Sequence, residues 1–140
     1  MNKQNHVNLS LTYLGDLRCE AVHGPSGVRL ITDAPVDNHG KGESFSPTDL
    51  MATSYGSCMS TIMGIVAKRD GIALGRFTVA IEKHMTPAPP RRIARLVLRF
   101  AMPAALAPAE REKLERAARA CPVALSTSPE VQVEASFTYA

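Results

Sequence analysis

Residues 46–71 read SPTDLMATSYGSCMSTIMGIVAKRDG, and this stretch decides the fold. Ser46-Pro47-Thr48-Asp49 has the form of a capping box. Ser46 is the N-cap, Pro47 takes the first helical position and Asp49 reaches back to the N-cap amide. Gly71 suits a left-handed cap at the other end. The spacing therefore predicts a helix from Pro47 to about Arg69, about 33 Å long at ~1.5 Å per residue. Met51, Tyr55, Cys58, Ile62 and Ile65 recur at helical spacing, and Ala52, Met59, Met63 and Val66 widen the stripe. The opposite side carries Ser54, Ser57, Thr61 and Gly64, which are small rather than charged. That combination predicts a central helix buried nearly all round. The row Gly56, Ser60, Gly64 predicts close approach of a second helix, from this chain or from a dimer mate.

Upstream, Val7, Leu9, Leu11 and Tyr13 alternate with polar residues, the period of a half-buried strand. Gly15-Asp16 marks a turn. Leu17, Cys19 and Ala21 then share one face of a second strand, and Val28 to Ile31 reads as a third. Asp33 to Phe45 is polar and predicts a surface loop. Downstream, Phe77, Val79 and Ile81 alternate, a proline-rich turn follows at Pro87, Pro89 and Pro90, and Leu96, Leu98, Phe100 and Met102 return as a hairpin partner. Pro108 opens a helix to about Ala120, with Glu110 and Glu112 early and Arg116 and Arg119 late. Leu114, Ala118 and Cys121 lie on its apolar face. Val131 to Tyr139 alternates as a last strand. The order β-β-β-α-β-β-α-β, with strands in hairpins, predicts an α+β fold with antiparallel sheets.

The 140 residues suit a single domain over 1–140. A net charge of +3, with arginines scattered, gives no reason to expect nucleic acid. Met1 to His6 is polar, so no targeting segment is expected. No unbroken apolar run reaches the ~18 residues of a membrane span. A cytoplasmic protein without membrane association is expected. Mononucleotide, dinucleotide and zinc-protease motifs are missing, and so is CxxC. The four histidines have no metal-ligand spacing, which leaves a zinc site from Cys19, Cys58, Cys121 and one histidine without a local pair to start it.

Chemistry therefore falls to the cysteines. Cys19, between Leu17 and Ala21, reads as a small buried hydrophobe. Cys58 lies among small helical residues that leave room beside its sulfur, or it is simply structural. Cys121 precedes Pro122, which can start a new helical turn with Cys121 as N-cap. A thiol there faces the positive end of the backbone dipoles, which favours thiolate. The other reading is that Cys121 ends the apolar stripe of the preceding helix.

Gly40-Lys41-Gly42-Glu43-Ser44-Phe45-Ser46-Pro47-Thr48-Asp49-Leu50, with Cys58 eight residues on, resembles the OsmC/Ohr family of osmotically inducible and organic hydroperoxide resistance proteins. Cys121-Pro122-Val123 resembles the second family cysteine. The resemblance implies an intertwined α+β homodimer with its site at the subunit interface. It implies that Cys58 attacks an organic hydroperoxide, becomes a sulfenic acid and condenses with Cys121 to a disulfide. An external dithiol, lipoyl-type in some relatives, then restores both without metal or organic cofactor. It further implies an arginine and an acid that hold Cys58 as thiolate. Arg18 or Arg29 would be the arginine. Thr48 stands where the family usually has glutamate, so Asp49 or Glu43 would be the acid. An alternative on the same scaffold is a weakly catalytic or non-catalytic protein that binds an apolar ligand against Met51, Met59 and Met63.

Overall fold

A computed structural model describes residues 5–140, so Met1 to Gln4 of the polar leading segment lie outside it. The chain forms two compact units, Met1–Leu50 and Met51–Ala140.

The first unit is an antiparallel meander of β1 (Leu9–Gly15), β2 (Arg18–His23) and β3 (Arg29–Asp33). Gly15 pairs with Arg18, so Asp16 and Leu17 form a two-residue hairpin turn, with φ of 52° and 64°. Both positive angles match the strand twist. Leu17 therefore belongs to the turn, not to the inward face of β2, and it is exposed. Leu9, Leu11 and Tyr13 of β1 are exposed as well, at 61–69%.

After β3 the chain folds on itself. A 3-10 turn at Val36–Asn38 is followed by His39 in the left-handed region. The Gly40 amide donates to Pro35 O at 2.9 Å and the Gly42 amide to Ala34 O at 3.2 Å. A Cβ at Gly40 would lie 1.7 Å from Ala34 O, a backbone atom that cannot step aside. Gly40→Ala is accordingly expected to destabilise the protein by about 2 kcal/mol or more, read as a lower denaturant midpoint.

Helix α1 spans Pro47–Asp70. Its capping box is formed: the Asp49 amide donates to Ser46 Oγ at 3.0 Å, and the Ser46 amide to Asp49 Oδ2 at 2.9 Å. Gly71 follows with φ 67°.

The second unit continues along α1 into β4 (Thr78–Met85), β5 (Ile93–Met102), α2 (Pro108–Arg119), α3 (Pro122–Leu125) and β6 (Gln132–Tyr139). β4 and β5 are the expected antiparallel hairpin. β6 pairs with the other edge of β5 in parallel, so this sheet is mixed. The reason is the helical crossover: α2 and α3 return the chain to the end of the sheet where β5 began. The core joins Met59 and Met63 of α1 to Leu96, Leu98 and Phe100 of β5 and to Leu114, Ala118 and Cys121.

Helix α1 buries one stripe rather than its whole surface. Ala52, Tyr55, Gly56, Met59, Met63, Val66 and Ala67 are buried, whereas Met51, Ser54, Ser57, Thr61 and Ile65 are exposed. Gly56 meets a sheet, not a second helix: a Cβ there would lie 2.7 Å from Ile81 Cδ1 and 3.3 Å from Leu98 Cδ2. Gly64 has open space beside it. By length and composition α1 could cross a membrane; its buried stripe places it in the core of this unit.

Candidate functional site

The two cysteines expected to act together both lie in the second unit and are near neighbours. Cys58 sits mid-way along α1 and is half-buried. Cys121 follows α2 and is 0% exposed. Pro122 starts the short helix α3, as its fixed φ allows, and Cys121 is the N-cap. Its Sγ accepts from the Ala124 amide at 3.4 Å. The two thiols lie close enough for Cys58 to perturb Cys121, and both are free.

The cap geometry was legible; its electrostatic consequence was not. Burial pushes the Cys121 thiol up, outweighing the Ala124 amide that pulls it down, and the neighbouring Cys58 raises it further. A four-residue helix has little dipole to set against complete burial. The expected thiolate character of Cys121 is therefore corrected. Cys121 keeps its proton.

Two residues that the sequence reading did not single out surround this pair. Tyr55, one turn before Cys58, is 7% exposed. Burial raises its phenol above the ordinary range, and the neighbouring Cys121 and Cys58 add to this, while the Arg119 charge opposes. Arg119 ends α2, with Nη2 donating to Ala135 O at 3.3 Å and its guanidinium 5.3 Å from the Phe137 ring centre. The i, i+3 spacing of Tyr55 and Cys58 was the available signal. Met59 and Met63, by contrast, are 1% and 0% exposed and belong to the core.

In the first unit, Arg18 does gather acids. Its guanidinium grips Asp33 with two bonds, Nε to Oδ1 at 2.6 Å and Nη2 to Oδ2 at 2.9 Å, and Nη2 also reaches Glu43 Oε1 at 2.9 Å. Asp33 was expected only to open a polar loop. It is 1% exposed and also accepts the Glu43 amide at 3.2 Å. The signal was the hairpin register, in which Arg18 and Asp33 stand directly opposite. Arg29 instead pairs with Glu20 at 2.7 Å on an exposed face. Asp49 serves the α1 capping box. Cys19 is half-buried in β2, opposite Tyr13 and Thr32. Among the described residues, no cluster of three or more His, Cys, Asp or Glu is placed to hold a metal ion.

The Arg18 hydrogen bonds hold the Asp33 carboxyl below the usual carboxylate range against the opposing effect of burial, with the Arg18 charge and the Glu43 amide adding to the lowering. A depressed native pKa gives stability that is present above the unfolded value of about 3.9 and is lost as pH falls through the native value. Asp33→Asn is expected to lower the melting temperature at neutral pH and to flatten its decline between about pH 5 and pH 2. Melting curves across that range check this.

Residues 40–136 match the family of OsmC-like proteins. The chain belongs to the OsmC-like family. Among solved structures, this OsmC-like chain is similar to an osmotic stress induced and detoxification response protein from Psychrobacter arcticus 273-4. That match has 40% identity and a TM-score of 0.89, covering 99% of this chain and 100% of the other. It shares its fold with an organic hydroperoxide resistance protein OsmC from Legionella pneumophila, at 19% identity and TM-score 0.76 over 98% and 99% of the chains. An organic hydroperoxide resistance protein from Elizabethkingia anophelis, crystallised with thiocyanate, matches at 17% identity and TM-score 0.77 over the full length of both. No curated protein matches the chain.

Proposed function

We propose that this OsmC-like protein is a thiol-dependent peroxidase acting on organic hydroperoxides, with Cys58 as the attacking and Cys121 as the resolving cysteine. The observation that carries this reading is the unequal burial of two neighbouring thiols. The half-buried sulfur is the one a substrate reaches first. The buried one keeps its proton until it meets the sulfenic acid. Cys58 thiolate attacks the terminal oxygen of ROOH, the O–O bond breaks, and Cys58 sulfenic acid and ROH result. The Cys121 sulfur then displaces water from Cys58 to form the disulfide. An external dithiol, lipoyl-type in this reading, reduces it and is itself oxidised. No metal or organic cofactor enters. In a reducing cytoplasm such a disulfide is transient.

The hydroperoxide resistance names of the Legionella and Elizabethkingia relatives support the substrate class. The activating roles that the resemblance implies for Arg18, Glu43 and Asp49 belong to the same proposal, and the rate of Cys58 oxidation in Arg18→Lys tests them. An intertwined homodimer is proposed too. The open apolar side chains of β1 support it, and sedimentation of the full chain checks it. The apolar-ligand alternative loses two of its three methionines to the core. Consumption of cumene hydroperoxide with dihydrolipoamide as reductant tests the peroxidase directly. Turnover that depends on both reagents is expected, and no turnover would leave the binding reading in its place.

A further inference from the structure

We propose that Tyr55 is a catalytic residue of the peroxidase reaction, its hydroxyl protonating the alkoxide that leaves when Cys58 takes the terminal oxygen of the hydroperoxide. This rests on the peroxidase reading and adds the proton donor that it lacks.

Three observations place Tyr55 in this role. It lies one helical turn before Cys58, so both side chains emerge on the same side of α1. Its ring is fixed in the core with only 7% exposure, which orients the hydroxyl. That hydroxyl makes no hydrogen bond among the described residues. A buried phenol ordinarily finds a partner. Among the described residues no wholly buried side-chain polar atom lacks one, so the Tyr55 oxygen keeps a small opening toward solvent. A donor held rigidly at such an opening, one helical turn from Cys58 and without an acceptor among the described residues, is available to a ligand that arrives there. The raised phenol agrees, because it keeps the proton in place until an alkoxide, a far stronger base, develops next to it.

The step balances as follows. Cys58 thiolate forms an S–O bond to the terminal oxygen as the O–O bond breaks. The sulfur is oxidised by two electrons and the peroxide is reduced by two. The terminal oxygen keeps its hydrogen in the sulfenic acid. The other oxygen leaves as RO⁻ and takes the proton of Tyr55, and the phenolate regains a proton from water. The donor matters in proportion to the basicity of the leaving oxygen. Alkyl hydroperoxides release an alkoxide and need it; peroxyacids release a carboxylate and do not.

Tyr55→Phe keeps the ring and removes only the hydroxyl. Stopped-flow oxidation of Cys58 in the full-length protein should slow about 10²-fold with tert-butyl hydroperoxide and by less than about threefold with peroxyacetic acid. Alkylation of Cys58 by iodoacetamide should be unchanged, showing that the thiol is equally reactive and accessible. Equal losses with both peroxides, or no loss with tert-butyl hydroperoxide, would overturn the assignment of Tyr55 and leave the peroxidase intact. Parent protein that neither peroxide oxidises at Cys58 would overturn both.

Discussion

Cys58→Ser is expected to abolish hydroperoxide consumption, with a fall of more than about 10³-fold, the scale on which removal of a covalent nucleophile acts. A serine hydroxyl has neither the acidity nor the polarisable lone pairs that let a thiolate attack oxygen. Cys121→Ser is expected to behave differently. The half-buried Cys58 remains, so the first oxidation still occurs. The sulfenic acid then has no neighbouring thiol to condense with, and it persists or passes on to the irreversible sulfinic acid. One equivalent of hydroperoxide should be consumed quickly, followed by slow or absent turnover with a dithiol. A stopped-flow trace with a single burst in Cys121→Ser, and none in Cys58→Ser, separates attacking from resolving thiol. The roles rest on 0% exposure at Cys121 against half-burial at Cys58, so exchange of the two phenotypes would reverse the assignment.

The largest effect on stability is expected from Phe100→Ala. Phe100 is 1% exposed near the end of β5. It stacks on Phe137 of β6 with ring centres 4.6 Å apart and lies 6.3 Å from Phe77 at a tilt. It is thus the middle ring of the only three-ring contact among the described residues, and it ties the parallel β5–β6 pair together. Truncation removes a large buried side chain and leaves a cavity that two partly buried rings cannot close. The expected loss is about 3–5 kcal/mol, large beside a total stability of about 5–15 kcal/mol. Denaturant unfolding, monitored by far-ultraviolet circular dichroism, reads it as a lower midpoint. Phe100→Leu retains volume and should lose much less.

Those two variants address parts of the molecule that differed in how well the sequence announced them. The capping box at Ser46 and Asp49, the proline at 47 and the glycine at 71 are local devices. Each acts within a few residues, so α1 could be read to within one residue of its end. Alternation along β4 and β5 was legible for the same reason; β1 is a strand as read, but exposed on both faces rather than half-buried. Which residues of α1 are buried depends on what lies against it, and no local pattern states that. The small residue Gly56 signalled a close approach but not that Ile81 and Leu98 of a sheet supply it. The parallel pairing of β6 follows from a crossover whose direction is a tertiary property.

The site shows the same division. Pro122 announced a cap at Cys121, a local feature that holds. The protonation state of Cys121 is set by its burial in the core, which reverses the local dipole argument. Arg18 and Glu43 were nominated by resemblance, and the buried Asp33 that binds Arg18 most closely was missed because it stood at the edge of a polar loop. Tyr55 was read as one more apolar position of a helical stripe. Its proposed role comes from a hydroxyl without a partner among the described residues, near two sulfurs, which only the folded chain displays.

In the proposed reaction Cys58 and Cys121 form one redox pair. Its most direct measurement is peptide mapping by mass spectrometry of the reduced full-length protein after one equivalent of cumene hydroperoxide, quenched with an alkylating agent. A Cys58–Cys121 disulfide, with Cys19 alkylated and the bond reversed by dihydrolipoamide, is the predicted result. Cys58 and Cys121 both recovered as alkylated thiols, or Cys58 bridged to Cys19 instead, would contradict it.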